Sequence, residues 1–74
     1  MNIEFHDHGA TATIIINSLF REFGRHCRVV DAALLAAPGS RYQMKSGIFM
    51  KTVISGKTVP LLRALKMAKL EAAR

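Results

Sequence analysis

The sequence has little of what small proteins use as covalent or metal staples: one cysteine, Cys27, in 74 residues. A single thiol excludes an internal disulfide and suits a reducing compartment better than secretion. Carboxylates are also scarce. The five Asp and Glu residues form no paired acid/base arrangement of the kind general acid–base chemistry needs. There is no tryptophan, and no apolar run approaches the roughly 20 residues of a membrane helix. The opening Met1 to Asp7 lacks a basic stretch followed by an apolar one, so no signal peptide is expected. The five glycines are scattered, which excludes a dinucleotide-type phosphate loop. Gly56-Lys57-Thr58 matches the end of a Walker motif, but the glycine that should precede it by five residues is absent. With no strand expected ahead of it, that reading is rejected.

What is present is apolar and basic. Half of the residues are hydrophobic, enough to fold as one small domain. The net charge is +6, and it is unevenly placed. Residues 1–31 carry Arg21, Arg25 and Arg28 against Glu4, Asp7, Glu22 and Asp31, a net of −1. Residues 32–74 carry Arg41, Lys45, Lys51, Lys57, Arg63, Lys66, Lys69 and Arg74 against Glu71 alone, a net of +7. A half this basic calls for a polyanion, either nucleic acid, an anionic surface or an acidic protein. A merely solubilising face is the simpler alternative.

Periodicity predicts an all-α domain of three to four short helices over residues 10–74, with residues 1–9 as a flexible N-terminal arm. Ile16, Leu19, Phe20 and Phe23 have helical spacing, giving a first helix from Thr11 to Phe23 stopped by Gly24. The β-branched run Ile14-Ile15-Ile16 fits a strand equally well. A second helix is expected over 28–37, broken by Pro38-Gly39. Ser40 would cap a third over 41–54, weakened by Gly47. A last one begins at Pro60, with Leu61, Leu65, Ala68 and Ala72 as its buried stripe.

The most informative stretch is Ser46 to Lys69. Ser46 stands where a recognition helix starts, and Met50 and Val53 are apolar residues three apart. Ser55-Gly56-Lys57 forms a turn, Pro60 follows, and Leu62 and Leu65 pack the next helix. This pattern resembles the second half of the Cro/repressor-type helix-turn-helix regulators of phages. The resemblance implies a non-enzymatic DNA-binding repressor in the cytoplasm of a bacterial host, without cofactor or metal. Ser46, Lys51 and Thr52 would approach the major groove, while Arg41, Lys45 and Lys57 would hold phosphates. A homodimer on a two-fold site would then be expected.

The span from Ala37 to Ser46 is long for that motif, and Gly47 and Ile48 lack the side chains that read bases bidentately. These departures support a second reading. Ile48, Phe49 and Met50, rimmed by Arg41, Lys45 and Lys51, would dock on an acidic protein. The protein would then be of the phage type that binds host RNA polymerase to inhibit initiation or cause antitermination. The bland alternative for these three residues is burial in the core. A basic structural subunit of a larger assembly is a third class.

Other groupings carry less. His6, His8, His26 and Cys27 are metal-ligand types without the paired spacing of a closed zinc site. Cys27 beside His26 lacks the geometry and third group of an activated thiol. Residues 60–74 have the basic amphipathic character of a membrane-surface helix, but core packing explains the stripe more simply.

Overall fold

In the computed structural model, residues 1–45 and 47–73 are described, and they form an α+β fold rather than the all-α domain expected. Strands β1 (Asn2–Asp7) and β2 (Thr11–Leu19) lead through a 3-10 turn at Phe20–Glu22 into α1 (Phe23–Ala36). Strands β3 (Arg41–Lys45) and β4 (Phe49–Lys57) lead directly into α2 (Thr58–Ala72). The four strands make one antiparallel sheet in the order β1-β2-β4-β3. Both helices pack on the same side of it.

The expected first and third helices are therefore strands, and the segment read as the recognition helix is β4. The cause is visible in side-chain direction. In β2, Ala12, Ile14, Ile16 and Ser18 are buried while their neighbours are less so, a period of two rather than 3.6. In β4, Met50, Thr52 and Ile54 alternate with Lys51 and Val53 in the same way. Both strands are rich in β-branched residues, which lose side-chain freedom in a helix and pack well on a pleated surface. Residues 2–7, read as part of a flexible arm, pair with β2 in full register, with Ile3 opposite Ile16 and Phe5 opposite Ile14. The hairpin between them turns at Gly9, whose φ of 95° favours glycine, and the Gly9 N–H donates to Asp7 Oδ1 at 2.8 Å.

The two other expected helices are present. The one placed over 28–37 starts earlier, at Phe23, so Gly24 opens a helix instead of ending one. It stops where Pro38-Gly39 was read as a break, with Gly39 at φ 88°. Ser40 caps no helix; its hydroxyl donates to the Ala37 carbonyl at 2.7 Å as the chain turns into β3. The helix expected from Pro60 begins at Thr58, which is pinned to the β1–β2 turn. The Thr58 hydroxyl donates to Gly9 O at 2.6 Å and its N–H to Ala10 O at 3.2 Å. The helices meet through small residues, Ala33 and Ala37 with Ala64 and Ala68, beneath Val29, Val30 and Leu61. Small side chains at such a contact let two helix axes approach closely.

One polar cluster sits inside this core. His26 on α1 is fully buried. Its Nδ1 lies 2.6 Å from Ser18 Oγ on β2, and its Nε2 lies 2.6 Å from Thr52 Oγ1 on β4. A neutral imidazole satisfies both hydroxyls, with one N–H donating and the other nitrogen accepting. Desolvation lowers the His26 pKa below its ordinary 6.5, partly opposed by the negative charge of Glu22. The unfolded chain thus binds the proton more readily. Stability is complete above pH 6.5 and declines as the pH falls below it. The urea midpoint is expected to drop between pH 7 and pH 5 at constant m-value (both about the ordinary histidine range), and a His26→Gln variant is expected to lose this dependence. Thr52→Val should cost about 1–3 kcal/mol by leaving a ring nitrogen unpaired, read from the same denaturation curves.

Candidate nucleic-acid interface

Two helices on one side leave the other side of the sheet uncovered. Residues paired directly across strands share a face, so the register defines what stands there. One cross-strand row is Asn2, Asn17, Lys51 and Lys45; the next is Glu4, Ile15, Val53 and Gln43; a third is His6, Thr13, Ser55 and Arg41. Leu19 with Phe49 closes one end and Thr11 with Lys57 the other. Four cations, Arg41, Lys45, Lys51 and Lys57, therefore occupy the β3–β4 side of this face. All four are exposed, and among the described residues none is in an ion pair. Glu4 stands at the β1 side, so the face is polarised across its width.

Relief on the surface follows the cations. A depression of about 690 Å³ at the end of the sheet is bounded by Thr11, Thr13, Arg41, Ser55 and Lys57 of this face and, on the helix side, by Ala12, Gly56, Pro60 and the Pro38–Gly39–Ser40 turn. Its wall at Arg41 and Ser55 is shared with a second depression that includes Gln43 and Val53. Gln43 and Val53 in turn border a third, with Lys45 and Lys51. The three form one shallow groove along β3 and β4. Gly56 faces the helix side with Ala12, where a Cβ would come within 3.2 Å of Ser40 Oγ. Only glycine lets the turn lie this close without a shift of that hydroxyl.

The residues expected at the site divide accordingly. Arg41, Lys45, Lys51 and Lys57 come together on one face, although on strands instead of around a helix. Thr52 points the other way, is fully buried and bonds to His26, so it cannot reach a ligand. Ser46 lies outside the described residues. Of the expected partner-docking residues, Ile48 and Phe49 are each 72 % exposed, whereas Met50 is in the core. Phe20, 63 % exposed, joins them, since its N–H donates to Ile48 O at 3.0 Å. Gln43 and Thr13 were not singled out from the sequence, and Ile15, Leu19, Val53 and Ser55 were read there only as helix, strand, core or turn positions. A period-two count over residues 49–57 would have found Val53 and Ser55 beside Lys51.

Other candidates are dispersed. Among the described residues no three His, Cys, Asp or Glu side chains converge. His6 is on β1 and His26 is in the core. The strand thought to be missing ahead of Gly56-Lys57-Thr58 exists, as β4, but it runs straight into α2 with no loop to wrap a phosphate. Arg63, Lys66 and Lys69 are exposed on α2, away from the uncovered sheet face. Among the described residues no helix is long and apolar enough to cross a membrane.

The Lys45–Lys51 pair has an energetic signature. Directly opposite residues on a sheet have Cβ atoms about 4.5–5.5 Å apart, and like charges there destabilise. Lys45→Glu is expected to raise stability by roughly 0.2–1 kcal/mol, with a gain that shrinks as salt is added, measured by urea denaturation at low and high ionic strength. The chain matches no protein-family model, no curated protein and no solved structure.

Proposed function

We propose that this chain is a small, non-enzymatic nucleic-acid-binding protein of the transcription-regulating kind, acting in the cytoplasm and engaging its target with the uncovered face of the sheet. The observation that carries this reading is the continuous groove along β3–β4 with Arg41, Lys45, Lys51 and Lys57 beside it. Four cations on two neighbouring strands, none in an ion pair among the described residues and two of them directly opposite, are a poor arrangement for the folded chain alone, and a phosphate backbone relieves their repulsion. From Lys51 to Lys57 the strand advances roughly 20 Å at about 3.3 Å per residue, so the cations are spread along a track and not gathered around a single anion. Polar side chains between them, Gln43 and Ser55, suit sugar and phosphate oxygens.

A second reading has its own support. Ile48, Phe49 and Phe20 make an exposed apolar cluster at one end of the groove, flanked by Lys45 and Lys51. Such a surface fits an acidic protein partner, and bacterial RNA polymerase remains the partner suggested by the chain's size and charge.

Salt titration separates the two. For the nucleic-acid reading, log affinity for an oligonucleotide should fall linearly with log salt, and Lys51→Gln or Arg41→Gln should each reduce the slope by roughly 0.7–0.9. Replacement of Lys66 or Lys69 on α2 should leave the slope unchanged. Retention of RNA polymerase from nuclease-treated lysate, with a slope insensitive to all of these substitutions, would favour the protein partner.

A further inference from the structure

Resting on the reading of the sheet as a nucleic-acid interface, we infer that its ligand is single-stranded: the sugar–phosphate chain follows the β3–β4 cations and unstacked bases lie on Phe49, Leu19, Ile15 and Val53. The basis is the interleaving of cations and apolar residues on one face, where β4 presents Phe49, Lys51, Val53, Ser55 and Lys57 in turn. Arg41, Lys45, Lys51 and Lys57 lie on β3 and β4, while the apolar residues Ile15, Leu19, Phe49 and Val53 lie on β2 and β4. Phe49 is 72 % exposed and stands opposite Leu19; Ile15 stands opposite Val53, both half-buried. A duplex offers its phosphates to such a face but keeps its base planes stacked inside, leaving the apolar residues without a counterpart. A single strand offers both, and stacking on an aromatic ring tolerates any base.

The dimensions argue the same way. Reading a duplex from the major groove requires an element that enters an opening about 12 Å wide. A two-stranded ribbon fits, but β4 is not free to act as one. It is bonded to β2 over its whole length, Phe49–Lys57, as well as to β3. Four strands spaced about 4.8 Å apart span roughly 14 Å between the outer axes before side chains are added. The uncovered face is therefore too broad for the groove, while an extended strand can lie across it. Asn17, Thr13, Ser55 and Gln43, on the same face, provide donors and acceptors for exposed base edges.

The test is fluorescence anisotropy of the full chain with a labelled oligothymidylate and with a blunt mixed-sequence duplex, both titrated at low salt. The oligothymidylate is expected to bind tighter by about tenfold or more, with a salt slope near −0.7 per cation engaged. Phe49→Ala should weaken it by roughly five- to 150-fold, the range set by loss of one stacked base, and leave the weak duplex binding unchanged. Phe49→Tyr should restore it. Because Phe49 is exposed, the urea midpoints of both variants should match that of the parent, which separates lost stacking from lost folding. Equal or tighter duplex binding that still depends on Lys51 and Arg41 would overturn the single-strand inference alone. Failure to bind either probe at low salt would overturn the nucleic-acid reading with it.

Discussion

Two helices of this length can cover only one side of a four-stranded sheet, and most properties of the molecule follow from that limit. The covered side collects Ala12, Ile14, Ile16 and Ile54 of β2 and β4, the two central strands, and closes them under α1 and α2, whose Ala33, Ala64 and Ala68 are fully buried. The uncovered side keeps a mixed character, with half-buried Ile15 and Val53 flanked by amides, hydroxyls and lysines. Among the described residues no element lies over it. The two faces thus differ in character, the one apolar and packed under the helices, the other open.

The buried histidine shows how firmly the covered side is specified. His26 reaches two strands at once, Ser18 on β2 and Thr52 on β4. Unsatisfied polar groups in a core are costly, so any slip in the β2–β4 register or in the rotation of α1 breaks a pair that water cannot replace. Apolar contacts alone tolerate small shifts. A fixed register matters to the other face as well, because a slip of one residue in a strand sends every side chain to the opposite side. The order of the surface groove is in this sense held from within.

Some of this organisation was legible in the sequence. The basic second half is real and supplies the groove, the Pro38-Gly39 break ends α1, and α2 begins two residues before Pro60. The β-strands were harder to read, since Ile16, Leu19, Phe20 and Phe23 do keep helical spacing while Ala12, Ile14, Ile16 and Ser18 keep strand spacing. Both periods run through Ile16. The structure assigns them to successive elements, β2 up to Leu19 and helical turns from Phe20. The same overlap affected residues 49–57, where Met50 and Val53 lie three apart but face opposite sides. Position along the chain also could not separate cations of the sheet from cations of α2. That sorting depends on cross-strand pairing, which no local pattern contains.

Strand β3 borders the sheet, and its outer backbone edge carries the donors and acceptors that would recruit another strand. If two copies met there antiparallel and centred on Gln43, Arg41 of each would fall opposite Lys45 of the other. The charges that line the groove therefore also discourage self-association along this border, as lysines commonly do at sheet edges. A polyanion lying over them cancels the repulsion. If the proposed ligand does lie there, occupancy and edge-to-edge assembly are linked, and each favours the other by the same free energy.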